Sequence, residues 1–356
     1  MNTFAAMLKE ITFSEYLVLS NEVPLIDVRS PGEFLKGHIP FATNIPLFTN
    51  DERAKVGTVY KQQSKEKAIE LGYTLVNPKL DQFITESESV APAGKIAVHC
   101  WRGGMRSKSF AGHLSENGFE TVYVIKGGYK AFRNHALESF KNEANICILG
   151  GYTGSAKTYI LKELEQMGEQ IIDLEGLANH KGSAFGNCGN QPTIEQFEND
   201  LFWKWKDLDY TKTIWVEDES HRIGSVNIPM NFFENMRNQL VLFLDIPREE
   251  RARHLVNDYA QADKEMLADS VNRISKRLGG LDTQKALAHL AANEFYETAM
   301  ITLIYYDKYY LRGLQNRKHD DIFPLKIQKI DFKQNAKKII KHHATIVKTK
   351  HKTHSV

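Results

Sequence analysis

Two short loops carry most of the chemistry that residue type and spacing can announce. The first is His99-Cys100-Trp101-Arg102-Gly103-Gly104-Met105-Arg106-Ser107, set between an apolar run and a helical pattern. Successive amide N–H groups and a following helix N-terminus would converge there on one point, which makes an anion cradle. That environment lowers the pKa of the Cys100 thiol, and Arg106 adds a planar bidentate donor for a tetrahedral oxyanion. Cys100 and Arg106 are therefore the candidate catalytic residues, with Trp101, Arg102, Gly103 and Gly104 bordering the substrate. Gly103 and Gly104 would let the turn close without a Cβ clash. An isolated cysteine at a strand end is more often a buried structural residue, and it is the glycine and arginine spacing that argues against this here.

The second loop, Gly151-Tyr152-Thr153-Gly154-Ser155-Ala156-Lys157-Thr158, fits the phosphate-loop pattern G-x-x-x-x-G-K-[ST] at every defined position except Ala156, where the pattern has glycine, and lies between an apolar run and a helical pattern. Gly151, Thr153, Gly154, Ser155, Lys157 and Thr158 would cradle a diphosphate, with Thr158 within reach of a magnesium ion. Ala156 stands where related loops often have glycine, and its methyl is expected to crowd the phosphates. Binding of a diphosphate is thus a safer expectation than nucleotide hydrolysis. Carboxylates at the ends of two apolar runs, Asp173 and Glu175, then Glu217, Asp218 and Glu219, stand where a divalent cation would be addressed. Asp173, Glu217 and Asp218 are the candidates for a magnesium or diphosphate site, although solvation and helix capping explain such acids equally well. For Arg248, Arg251 and Arg253, phosphate contact and local charge pairing are both open.

The elements that must position these loops follow from the pattern of the chain. Val23 to Val28, Lys95 to His99 and Glu120 to Val124 read as buried parallel strands, with helical spacing between them, as from Met105 to Asn117. A second series begins at Asn145 to Gly151 and continues at Gln170 to Asp173, Thr213 to Glu217 and Gln239 to Asp245. Arg248 to about Leu314 reads mainly as helix. With 356 residues, two domains are expected. The fold class is α/β: a first domain over 1–138, a linker over 139–144, and a phosphate-loop domain with a helical C-terminal part over 145–331. A basic tail occupies 332–356.

Composition sets further bounds. Hydrophobic residues make up 42% and charged residues 25%, which excludes disordered and collagen-like classes. No apolar run is long enough to span a bilayer, so a cytoplasmic protein without a membrane partner is expected. Cys100, Cys147 and Cys188 are too few and too scattered for a disulfide framework or a zinc cluster. Cys147 reads as packing, and Cys188 as a thiol on a glycine-rich loop with a bystander role. The net charge of +2 conceals segregation: the last 25 residues carry +7, leaving −5 for the rest. That tail could touch an RNA backbone or be a solvated, mobile end.

His-Cys-x5-Arg-Ser is also the phosphate loop of cysteine-dependent phosphatases, but its surroundings differ. Ile26 to Phe34, Gly37 to Pro46 and Lys126-Gly127-Gly128-Tyr129 resemble the rhodanese domain over about 130 residues. Rhodanese loops have four residues between cysteine and arginine, whereas five separate Cys100 from Arg106, which suits a phosphate-sized group. Further phrases, Asp173 to Gly186, Gln191-Pro192 with Phe197-Glu198, and Val216 to Gly224, extend the likeness. With the Cys100 loop they resemble the bacterial tRNA 2-selenouridine synthases over about residues 12 to 320. Ala156 and the short Gly186-Asn187-Cys188-Gly189-Asn190 stretch depart from that pattern.

The resemblance implies replacement of sulfur by selenium in wobble 2-thiouridine of tRNAs for lysine, glutamate and glutamine, with selenophosphate as donor. It also implies attachment of a geranyl group to that sulfur from geranyl diphosphate. Each loop then has one phosphorylated co-substrate: Cys100 takes selenium as an S-selanyl group, and Gly151 to Thr158 hold the diphosphate. No tightly bound cofactor is implied, and magnesium is a candidate. Trp101 and Arg102 would meet the base, unless Trp101 is a core residue. Partners are the tRNA anticodon loop and the synthetase that supplies selenophosphate, with oligomeric state left open. Two other functions fit the loops taken singly, a cysteine phosphatase or sulfurtransferase joined to a kinase-like domain, and a non-catalytic anion-sensing module.

Overall fold

The structure, a computed structural model, describes residues 7–180, 189–259, 264–315, 317 and 321–353. It divides into two compact units, one running to Ser139 and taking in Glu198–Trp203, the other comprising Phe140–Phe197 and the chain from Lys204 onward. Each is built on its own five-stranded parallel sheet.

In the first unit the strands are β1 (Met7–Ile11), β2 (Leu25–Asp27), β3 (Thr43–Asn44), β4 (Lys95–His99) and β5 (Thr121–Ile125), in the order β1-β5-β4-β2-β3. Parallel strands are covered on both faces, so their sequences are continuous apolar runs. Ile26, Ile96, Val98, Val122 and Val124 accordingly form the core with Phe83, Phe110 and Leu114. The central strand β4 ends at His99, directly before Cys100, and the helix Met105–Glu116 begins directly after the loop. Sequence and topology together thus place the cysteine at the carboxyl end of a central strand.

Backbone packing closes this loop. Gly103 has φ +61°, and a Cβ there would lie 2.3 Å from the Ile125 carbonyl oxygen. Gly128 has φ +54°, and a Cβ there would lie 2.2 Å from the Cys100 carbonyl oxygen. Tyr129 and Lys130 N–H groups donate to the carbonyls of Cys100 and Trp101 at 2.9 and 3.0 Å. Gly104 differs from the expectation: nothing lies within 4 Å of an added Cβ, so the turn does not need a glycine there.

The second unit contains β6 (Ile146–Gly151), β7 (Gln170–Ile172), β8 (Ile214–Glu217), a small antiparallel pair β9 (Arg222–Ile223) and β10 (Val226–Asn227), β11 (Val241–Asp245) and β12 (Ile322–Lys326). Its main sheet has the order β12-β11-β6-β8-β7. The phosphate-loop residues follow β6 at the centre of that sheet and lead into the helix Lys157–Gln166. Beneath them Cys147, Leu149, Ile160, Leu161, Leu164 and Trp215 form a buried cluster.

The basic segment from residue 332 is not a mobile tail. It is the helix Phe332–Thr353, with Ala336, Ile339 and Ile346 buried. It packs on Lys157–Gln166: Phe332 stacks on Tyr159 with ring centroids 4.9 Å apart, and His343 meets Trp215 at 4.9 Å. Apolar residues at helical spacing give it one buried face, while Lys333, Lys337, Lys338, Lys341 and Lys348 are exposed.

Candidate functional site

Cys100 is buried at the floor of a cavity of about 960 Å³ in the first unit. The walls combine apolar residues such as Phe48, Val56 and Phe110 with the cations Arg53, Lys61, Lys65, Arg102 and Arg106. Its Sγ lies 3.3 Å from the Ser107 hydroxyl. Burial alone would push this thiol up. The Ser107 hydroxyl, the Arg106 charge and the backbone N–H groups of Ser107 and Arg102 outweigh burial, and the net displacement is below the ordinary cysteine value. Cys147, by contrast, is buried in β6 and pushed well up, as an inert packing thiol should be. Cys188, with Lys181 to Asn187, lies outside the described residues.

Arg106 is held by an acid that the motif did not announce. Its Nη1 donates to Glu33 Oε2 at 2.9 Å, and the same oxygen accepts from the Ser30 N–H at 3.1 Å. Arg53 lies 3.6 Å from that carboxylate. Desolvation would raise Glu33, but Arg106 and the Ser30 N–H bring it below its usual value. Behind the loop Asp27 and Arg29 form a buried ion pair, with Arg29 Nη2 also donating to the Gly37 carbonyl at 2.7 Å. The Arg29 guanidinium lies 3.8 Å from the centre of the Tyr129 ring. His99 is fully buried, and loss of hydration pushes its pKa down, so it stands behind Cys100 as a neutral ring. Trp101 is 37% exposed and lines the cavity, 5.6 Å from Tyr129, so it is not a core residue.

In the second unit, Gly151, Thr153, Gly154, Ser155, Lys157 and Thr158 all line a cavity of about 760 Å³. Lys157 Nζ donates to the Gly151 carbonyl at 3.1 Å, and the Gly151 N–H donates to the Tyr310 hydroxyl at 3.0 Å. Ser155 Oγ is buried without a hydrogen-bond partner among the described residues. Ala156 has φ +58° and ψ +28°, a left-handed conformation costly for any residue with a Cβ. It belongs to the buried cluster beneath the loop and also lines the cavity.

The carboxylates sort differently from the sequence reading. Oxygens of Glu175, Glu217 and Glu219 lie within 4.8 Å of one another. Thr158 Oγ1 donates to Glu175 Oε2 at 2.7 Å, and Glu217 Oε1 accepts from the Glu175 N–H at 2.7 Å. Desolvation, then the Glu175 charge, drive both Glu217 and Glu219 well above the carboxylate range. Asp173 instead caps the short helix Leu174–Ala178, accepting from the Gly176 N–H at 2.7 Å. Asp218 is not in the cluster and accepts from Arg317 Nη2 at 2.6 Å and from the Tyr310 hydroxyl at 2.7 Å. Of the three acids expected to share a cation, only Glu217 belongs to this cluster.

The arginines of the helix Arg248–Tyr259 are internally paired. Arg248 and Arg251 both reach Asp307, and Arg251 also donates to the Thr153 carbonyl at 3.0 Å. Arg253 pairs with Glu250. Arg251 thus braces the loop, and all three are paired with carboxylates.

The rhodanese-like domain family matches residues 12–135, and the family described as the tRNA 2-selenouridine synthase AAA domain matches residues 144–341. Curated relatives span nearly the same length. A tRNA 2-selenouridine synthase of Hydrogenovibrio crunogenus is 40% identical over 297 residues, covering 77% of this chain and 80% of the relative. Those of Shewanella frigidimarina and a Sulfurovum species are 36% and 33% identical, covering 89% and 90% of this chain and 96% and 94% of the relatives.

Proposed function

The chain belongs to the tRNA 2-selenouridine synthase family, and on that premise we propose that it exchanges sulfur for selenium in wobble 2-thiouridine of tRNAs for lysine, glutamate and glutamine. Selenophosphate is the donor, supplied by its synthetase in the cytoplasm. An S-geranyl intermediate, made from geranyl diphosphate, precedes the exchange. The observation that carries this reading is the pairing, in one chain, of a cysteine with a depressed pKa in a cation-lined cavity and a phosphate loop with an orphaned buried hydroxyl.

Thiocarbonyl sulfur is a poor leaving group, and alkylation lets it depart as a neutral thiol. In the second unit the nucleobase sulfur attacks the geranyl carbon next to oxygen, a C–S bond forms, and diphosphate leaves with the C–O electrons. Lys157, the loop amides and Ser155 Oγ stabilise that leaving charge. In the first unit the Cys100 thiolate attacks the phosphorus of selenophosphate, an S–P bond forms and selenium leaves as hydrogen selenide with the P–Se electrons, while Arg102, Arg106 and Arg53 surround the phosphate, which water then releases from the sulfur. The selenide attacks C2 of the base, a C–Se bond forms, and the geranyl sulfur leaves with the C–S electrons and takes up a proton.

The donor set suits a hard divalent cation. Glu175, Glu217 and Glu219 would hold magnesium beside Thr158, since three carboxylates otherwise repel one another inside the protein. When bound, it would neutralise diphosphate charge.

Mass spectrometry of tRNA nucleosides from cells lacking this protein, complemented with wild type, Cys100→Ser or Lys157→Ala, tests the assignment. S-geranyl-2-thiouridine should accumulate with Cys100→Ser, and 2-thiouridine with Lys157→Ala. Unmodified 2-thiouridine in both variants would remove the division of labour between the two loops.

A further inference from the structure

We propose that the wall of the phosphate-loop cavity formed by Tyr305 and Tyr309 with Arg273, Arg277 and Arg312 is the docking surface for single-stranded RNA. This rests on the reading that the phosphate loop acts on a nucleobase. The helices Lys264–Leu278 and Phe295–Gln315 pack together and line the cavity that also holds Gly151 to Thr158. Arg273 and Arg277 stand one helical turn apart on the first. Tyr305, Tyr309 and Arg312, at spacings of four and three, share a face of the second.

Charge pairing separates these three arginines from others of the same unit. Arg237, Arg248, Arg251 and Arg317 each lie within 4 Å of a carboxylate. Arg273, Arg277 and Arg312 are exposed, and none has a carboxylate partner among the described residues. Arg277 Nη1 instead donates to the Tyr305 hydroxyl at 3.2 Å, and its guanidinium stands 5.9 Å from the Tyr309 ring centre. The Tyr305 and Tyr309 rings are 6.2 Å apart, and Tyr309 is 54% exposed. A half-exposed aromatic ring beside unpaired guanidinium groups is what stacked bases and their phosphates require, without base-specific readout.

Position favours RNA over the other occupants. Tyr310, the next residue on the helix, hydrogen-bonds the Gly151 N–H, so the stacking surface adjoins the cradle. A base whose sulfur must reach the carbon beside a bound diphosphate has to approach from such a wall.

Binding of a labelled anticodon stem-loop carrying 2-thiouridine, followed by anisotropy over a range of salt concentrations, tests this, with inorganic pyrophosphate and geranyl diphosphate titrated in parallel. Tyr309→Ala should weaken RNA binding about tenfold, while Tyr309→Phe keeps the ring and the affinity. Arg273→Ala with Arg277→Ala should reduce the slope of log K against log salt by about 1.4, two phosphate contacts. Pyrophosphate affinity should not change. Wild-type RNA affinity and salt slope in these variants would overturn the proposal. So would a parallel loss for pyrophosphate, which assigns the arginines to the diphosphate, or a loss confined to geranyl diphosphate, which assigns the rings to its chain. Failure of the wild-type protein to bind the RNA at all would instead count against the underlying reading.

Discussion

Replacing Asp218 by alanine separates the two roles open to a carboxylate just beyond β8. Asp218 accepts from Arg317 and Tyr310, and the Arg317 and Asp218 side chains are only 2% and 7% exposed. Alanine leaves the guanidinium inside with the carbonyls of Met236 and Arg237, at 3.2 and 3.4 Å, and no counter-charge. Breaking a buried pair from one side costs about 3–5 kcal/mol. At about 2–4 °C per kcal/mol for a unit of this size, the midpoint should fall by roughly 6–20 °C. Asp218→Asn keeps an acceptor for Tyr310 while losing the charge, and should fall between the two. Calorimetry of the full chain at neutral pH without divalent cations, supported by urea unfolding, measures the change. If Asp218 held a cation, its removal would relieve carboxylate repulsion. Melting at or above the wild-type temperature, with magnesium no longer raising the midpoint, would refute the reasoning.

Glu217→Gln should behave in the opposite way. An acid whose folded pKa is raised stabilises the fold while protonated, and that contribution disappears as pH rises from the ordinary carboxylate range through the raised value. The variant should therefore melt higher than wild type at pH 8, converge with it near pH 4, and lose the magnesium-induced shift; equal melting at pH 8 would contradict this. Ser107→Ala removes the hydroxyl beside the Cys100 sulfur, so the midpoint of iodoacetamide alkylation should move to higher pH. At neutral pH the rate should drop roughly tenfold, as for one charge-assisted hydrogen bond of about 1.5 kcal/mol, and an unchanged profile would exclude Ser107 from thiolate stabilisation. Gly128→Ala, with its Cβ 2.2 Å from the Cys100 carbonyl oxygen, should abolish folding of the first unit, whereas Gly104→Ala should stay within about 1 kcal/mol of wild type. Similar circular dichroism melts for the two would mean that the loop packs differently.

The central strands and both loops were legible because their signals are local. β4, β6, β8 and β11 are continuous apolar runs, and each loop follows such a run and precedes helical spacing. Edge strands lack that signal. β1 has four exposed residues in five, and β12 carries Pro324, which an edge tolerates. The acids that cluster lie one or two positions from those that the sequence favours: Glu175 and Glu219 reach the cluster, while Asp173 and Asp218 do not. That sorting depends on a cap with Gly176 and on Arg317, 99 residues away from Asp218. No spacing rule carries such information. Glu33 was missed for the same reason, since its partner Arg106 lies 73 residues on. The helix Phe332–Thr353 has its signal in Ala336, Ile339 and Ile346, whose helical spacing gives the buried face within a lysine-rich segment.

The central claim is that Cys100 releases selenium from selenophosphate to a base already geranylated by the other unit. Purified protein incubated with selenophosphate and tRNA containing S-geranyl-2-thiouridine, then digested and analysed by mass spectrometry, tests it directly. Wild type should yield 2-selenouridine with loss of the geranylthio group, and Cys100→Ser should return the substrate unchanged. Formation of 2-selenouridine by Cys100→Ser at the wild-type rate, or none with the wild-type protein, would contradict the account.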